Sequence, residues 1–302
     1  MQKWWLLGVL LISQSALACI NAVGTDRNGH RFEPGDFTGD ELVAQMTSIR
    51  NSEYLDREAL RLAEKVRSEP DFANLNDLGV VLIRYGRTTR AIRLFVANER
   101  RFPGRAETAA NLGTALELAG FDAIALKWIR IGIQRNVAEH EGTEWLHARI
   151  LEAKIGIRKD PSYLDGRSIA GIRFDSGLVP DLPDHYPQNN ARKPVLPYQL
   201  NSAFAYQLRE RLQFVRPKDK VVANLLTDWA TLNLAGGPIE NAEALYGLAE
   251  RYGAPRTALV AARRRHVRRI LATRDTGKEP VTGTCTICEP PIPPPAPESF
   301  RP

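Results

Sequence analysis

The sequence predicts an all-α fold, a solenoid of stacked helix-turn-helix repeats interrupted once by a long irregular segment. Three observations carry that prediction. Two stretches 34 residues apart, NLNDLGVVLIRYG from Asn74 and TAANLGTALELAG from Thr108, share one pattern of leucines and glycines. Apolar residues inside each stretch fall at helical spacing, not in the alternation of a strand. Between Gly156 and Pro197 that periodicity disappears into prolines and glycines. A hydrophobic content of 43% and a charged content of 25% are ordinary for a folded protein, so wholesale disorder is excluded. The formal charge of +6 permits contact with anionic surfaces without demanding it.

Residues 1–18 read as a secretory signal peptide. Lys3 supplies the positive start, Trp4 to Ile12 is apolar apart from one glycine, and Ala16-Leu17-Ala18 has the small-x-small pattern of a cleavage site. The apolar run is shorter than the roughly 20 residues of a spanning helix, so the chain is expected in an exported compartment, periplasmic or extracellular. Cys19 follows the cleavage site directly and has two fates open to it. It resembles the lipidated cysteine of bacterial lipoproteins, yet Ala16 also suits an ordinary signal peptidase. Three cysteines are an odd number for an exported protein, and lipidation of Cys19 would leave Cys285 and Cys288 as a pair. Residues 19–40 form an N-terminal extension.

Laying residues 72–105 over 106–139 repeats Leu78, Gly79, Leu82, Gly86 and Ala91 as Leu112, Gly113, Leu116, Gly120 and Ala125, with Phe95 over Ile129. Leu75, Leu78 and Leu82 share one face of a first helix. Gly79 beside them lets another helix approach closely, and Gly86 supplies the positive φ of a turn. Ala91 and Phe95 form the buried stripe of a second helix, which Pro103 stops. With these signature residues at this period, the chain resembles the tetratricopeptide-repeat family, clearly over 72–139. The resemblance is weaker over 38–71, 140–156 and 223–256, where Trp229, Ala230, Gly237, Ala242 and Tyr246 fit the template approximately.

The resemblance implies a non-enzymatic scaffold whose inner helices line a concave groove for a protein or peptide partner. Carried over by repeat position, the groove comprises Asn76, Val80, Ile83 and Arg84, then Ala110, Thr114, Glu117 and Leu118, then Glu141, Glu144, Ala148 and Glu152. The acidic wall of Glu117, Glu141, Glu144 and Glu152 favours a cationic guest. Arg158, Lys159, Arg167 and Arg173 lie among the apolar residues of the interrupting segment. Part of residues 157–180 is therefore expected in or across the chain's own groove.

Two units alone are marginal, because each leaves an apolar face that needs a neighbour. Helices expected over Glu41 to Arg50 and Tyr54 to Ser68 look like a divergent first unit, and Glu144 to Ile155 begins a third, so the repeats span 41–156. Residues 157–197 are expected to be irregular but packed on the helices, because they are too apolar for a solvated linker. A second helical unit follows over 198–274. Its last helix carries Arg263, Arg264, Arg265, Arg268 and Arg269, read either as a polar cap or as a basic face for anionic lipid, polysaccharide or, least in keeping with export, nucleic acid. Residues 275–302 form a proline-rich, disordered tail.

Chemistry is sparse. Cys285-x-x-Cys288 lacks the strand-then-helix setting of a redox motif and reads as a local disulfide or an exposed dithiol. His140, Glu144 and His147 share a helical face, but His147 stands where the repeats have Gly79 and Gly113 and is expected to fill that space. No catalytic residue, metal, cofactor or nucleic-acid partner is expected. A lipid-anchored envelope scaffold, and an unrecognised enzyme or thiol-redox protein using Cys285 and Cys288, remain the alternative classes.

Overall fold

The structure is a computed structural model and describes residues 23–35, 37–48, 52–273 and 281–288. The expected signal peptide at 1–18, Cys19 and the proline run at 290–297 lie outside the described residues. The described chain is mainly helical, with eleven α-helices and one two-stranded antiparallel sheet. Strands β1 (Gly24–Thr25) and β2 (Arg31–Phe32) precede α1 (Gly39–Thr47) and α2 (Ser52–Ser68). Two hairpins follow, α3 (Phe72–Arg84) with α4 (Thr88–Arg101), and α5 (Ala106–Leu118) with α6 (Asp122–Arg135). A 3-10 turn (Glu139–Gly142) leads into α7 (Glu144–Lys159). After a non-helical stretch come α8 (Pro197–Leu212), α9 (Lys220–Gly236), α10 (Ile239–Tyr252) and α11 (Ala258–Thr273). From α2 onward each helix packs on the next in sequence.

The 34-residue recurrence is a recurrence of backbone geometry. Gly86 and Gly120 close the two turns at φ 67° and 86°. Arg87 and Phe121, which open α4 and α6, have φ/ψ of −87°/47° and −92°/51°. Arg87 N donates to Leu82 O at 2.8 Å, and Phe121 N donates to Leu116 O at 2.9 Å. Helix contact repeats as well. A Cβ on Gly79 would stand 2.4 Å from the Phe95 ring, and one on Gly113 would stand 2.5 Å from Ile129 Cδ1. Phe95 and Ile129 are fully buried in a core shared by α3 to α7.

The third unit departs from this plan. Lys154 stands where Gly86 and Gly120 turn the chain, so nothing breaks α7, which runs on to Lys159. No second helix follows it. Residues 160–196 instead pack into a larger core with α1, α7 and α8 to α11, burying Ile169, Ala170, Ile172 and Val195. Polar anchors hold the segment: Ser168 Oγ donates to Asp228 at 2.6 Å, and Ile169 N donates to Asn224 Oδ1 at 3.0 Å. The expected placement of 157–180 in the groove is thus overturned. Its apolar residues find deeper burial on α7 and α9, and Arg167 lies over the Tyr163 ring.

Three other expectations change. Helix α1 does not simply extend a first repeat: it lies on α8 and α10, with Leu42, Val43 and Met46 in the larger core and Gly39 N donating to Asn241 Oδ1 at 2.7 Å. The basic face of α11 is mostly consumed, because α10 presents acids to it. Arg264 pairs with Glu243 and Glu250, Arg268 pairs with Glu243, and buried Arg263 donates to the carbonyls of Asp175 and Gly177. Finally, residues 281–288 of the expected tail are placed. Cys285 and Cys288 form a disulfide, and Ile287 between them is fully buried against Gly236 and Gly237. Gly237 has φ −126°, so it makes room for Ile287 and does not form the left-handed turn of the repeats.

Gly79→Ala is expected to destabilise the protein by about 1–3 kcal/mol through overpacking. Phe95→Leu in the same chain should recover part of that loss. Urea unfolding of the single and double variants measures both, and an unchanged midpoint for Gly79→Ala would refute the close contact.

Candidate functional site

The inner faces of α3, α5 and α7 converge on a cleft, and α8 lies across it. Val80, Ile83 and Arg84 line it from α3, Asn111, Thr114, Glu117 and Leu118 from α5, and His140, Glu144 and His147 from the 3-10 turn and α7. Tyr206, Gln207, Glu210 and Arg211 close it from α8, with Phe214 and Val215 just beyond. The open volume is about 90 Å³. That is well under the roughly 300–1,000 Å³ that encloses a drug-sized ligand, and it suits one or two side chains.

The floor of the cleft is a buried ion network. Glu117 Oε1 accepts from Arg211 Nη1 at 2.5 Å and from Lys154 Nζ at 2.9 Å. Glu117 Oε2 lies 2.7 Å from His147 Nε2. On its other side His147 Nδ1 is 3.4 Å from Glu144 Oε2, and Glu144 Oε1 is 2.6 Å from His140 Nδ1. His140 stacks on Tyr206 with ring centroids 5.5 Å apart. His140 and Glu141 both adopt positive φ, 50° and 57°, where non-glycine residues are uncommon. Two polar atoms of the network, Glu144 Oε2 and Arg211 Nε, have no hydrogen-bond partner within the described protein.

Burial works against every charge here, and the neighbouring charges outweigh it. Burial alone would raise the Glu117 carboxyl, but the Arg211 charge and the His147 hydrogen bond hold it well below the usual range. Glu144 is likewise held down, at about 2, by the His147 charge and by the hydrogen bond with His140. Burial would lower His147, yet the Glu144 charge and the hydrogen bond to Glu117 raise it to about 9. His147 is therefore charged below that pH. It is an ion-pair partner, which corrects the expectation that it merely fills space at a glycine position.

Seven of the twelve groove residues expected from repeat position line this cleft: Val80, Ile83, Arg84, Thr114, Glu117, Leu118 and Glu144. The others do not. Ala110 and Ala148 are buried, because α5 and α7 are covered on that side. Asn76 accepts from Asn111 Nδ2 at 3.1 Å, Glu152 pairs with Arg130 on α6, and Glu141 faces neighbouring hollows. At Glu117 and Glu144 the acidic wall does not await a cation, since Arg211, His147 and Lys154 of the same chain pair with them. Arg211 went unrecognised in the sequence, although the signal was there: it sits three residues after Leu208 and four before Val215, a charge within the apolar stripe of α8.

Among the described residues, no cluster of three or more His, Cys, Asp or Glu side chains is arranged to hold a metal ion. No helix there is long and apolar enough to cross a membrane. Comparison with family models, with curated proteins and with solved structures yields no match to this chain.

Arg211→Leu leaves Glu117 short of its main countercharge and is expected to cost about 3–5 kcal/mol of stability, read from denaturant unfolding. The pH dependence has a definite sign. His147 is raised in the folded state from 6.5 to about 9, so its contribution is full below about pH 6.5 and is lost as pH rises towards 9. Glu144 is lowered from 4.5 to about 2, so its contribution is full above about pH 4.5 and is lost as pH falls towards 2. The melting temperature should fall between pH 6.5 and 9, and His147→Gln should flatten that decline. A slope unchanged in His147→Gln would exclude this source.

Proposed function

We propose that the protein is a non-enzymatic binding scaffold of the exported compartment, built on tetratricopeptide-like hairpins, which takes a short apolar segment of a partner protein in the α3–α5–α8 cleft. The carrying observation is that equivalent positions of successive hairpins converge on one mostly apolar cleft. Val80 and Arg84 of α3 stand beside Thr114 and Leu118 of α5, their counterparts 34 residues on. Such positional equivalence is what a repeat array uses to read a ligand. The small open volume supports a guest that inserts one or two apolar side chains, not a peptide laid along an open groove. Half-buried Arg84 forms no ion pair among the described residues, and exposed Glu210 lies across from it on α8, so both signs of charge are offered at the rim. Apolar walls flanked by polar groups at the rim are common in protein interfaces.

The export half of this reading rests on the signal-like residues 1–18, and cleavage after Ala18 tests it directly by mass of the N-terminus in the exported fraction.

Affinity capture from that fraction tests the binding half. Leu118→Asp places a charge in the apolar centre and should reduce recovery of the cleft's partner by roughly tenfold or more, as loss of an interface hot spot does. Thr89→Ser, outside the cleft, should recover it normally. Equal recovery by Leu118→Asp and the parent chain would refute the cleft as the binding site.

A further inference from the structure

Among the described residues, α11 keeps only Arg265 and Arg269 exposed and outside any ion pair, whereas the hairpins carry a row of such arginines together with exposed apolar side chains. Arg87, Arg90 and Arg93 are exposed along one side of α4 and form no ion pair or ring contact among the described residues. Adding the repeat period of 34 carries these positions to Phe121, Ile124 and Lys127 on α6. The two sets hold equivalent positions in successive hairpins, each starting at a cap residue of the same local conformation. Phe121 and Ile124 are 54% and 48% exposed, large apolar side chains on the surface at the repeat positions of Arg87 and Arg90.

No acid on either helix offsets this face. The sole acid of α4, Glu99, is bound to Arg135 at 2.6 Å, and the sole acid of α6, Asp122, is fully buried against Lys154 and Arg158. On α2 the equivalent positions are Glu53, Asp56 and Ala59, and Asp56 accepts from the Tyr85 hydroxyl, so an acidic edge bounds the basic face on that side. None of the six residues lines the cleft, which makes this surface independent of the proposed binding function.

The geometry points to a docking face for the surface of an anionic phospholipid bilayer, formed by Arg87, Arg90, Arg93 and Lys127 with Phe121 and Ile124. Cations near an anionic leaflet are drawn to its phosphates, and protruding apolar side chains bury in the headgroup-acyl boundary. A soluble polyanion would use the arginines and leave the exposed Phe121 and Ile124 without a role. The bilayer engages both chemistries, which decides between them.

Vesicle co-sedimentation of the full chain tests the assignment. The readout is the ratio of partition onto phosphatidylglycerol-containing vesicles to partition onto phosphatidylcholine alone, so that apolar binding by the N-terminal residues enters both terms. The parent chain should favour the anionic vesicles, and high salt should weaken that preference. Arg87→Ser/Arg90→Ser/Arg93→Ser should lower the ratio roughly 100-fold. Phe121→Ser/Ile124→Ser should lower anionic partition on the order of tenfold. Arg265→Ser/Arg269→Ser, at the exposed arginines of α11, should match the parent. Circular dichroism and the unfolding midpoint of each variant establish that it is folded. Partition of the triple arginine variant equal to the parent's would overturn the proposal, as would a comparable loss in the α11 variant. Loss with the arginines but none with Phe121→Ser/Ile124→Ser, together with equal binding to a soluble sulfated polysaccharide, would identify a polyanion and reject the bilayer.

Discussion

The contact of Arg211 with Glu117 is the constraint around which this chain is arranged. Glu117 belongs to α5, in the second hairpin, and Arg211 belongs to α8, 94 residues later. Both are buried, and neither could remain there charged without the other. His147 and Lys154 of α7 complete the shell, so one carboxylate ties three helices from the two cores together. This arrangement draws α8 across the inner faces of the hairpins. Between α8 and the hairpins a small cleft remains, and the same network forms its floor.

Helix α7 is the hinge of that arrangement, and one residue accounts for its behaviour. At Gly86 and Gly120 the chain turns with positive φ and starts a second helix. At Lys154 the chain stays helical, and the extra turns carry Lys154 and Arg158 towards Glu117 and Asp122. Leu146 and Ile150 then face the larger core, while Ala148 and Leu151 face the smaller one. Both ends of the chain reinforce the larger core. Thr25 bonds to Glu240, Gly39 bonds to Asn241, and Ile287 is seated at Gly237, so α10 gathers the N-terminal hairpin, α1 and the cysteine loop at one corner.

Charge is partitioned by the same packing. A basic sequence suggested one cationic helix at the C-terminus, but α10 meets α11 with Glu243 and Glu250 and neutralises much of it. On the hairpins no ion pair among the described residues takes up Arg87, Arg90 or Arg93. Which arginines are available to a partner is thus decided by the acids packed beside them, not by where arginines are densest in the chain.

Local information was enough for the helices of the hairpins, their turns and the glycines at their contacts. Helical periodicity, positive φ and the size of a missing side chain are read within about one repeat. The candidate site was half legible for the same reason: positions on α3 and α5 follow from the repeat, whereas Tyr206, Arg211 and Phe214 come from a helix with no register to them. The packing of residues 160–196 and the docking of α1 on α10 depend on which of several apolar surfaces buries most, a comparison made only when all are present. What the sequence determined by itself is the repeating unit, since its physics is local. What the tertiary structure alone decided is the occupant of the groove, because Glu117 and Arg211 choose each other through burial across 94 residues, and no spacing in the sequence encodes that choice.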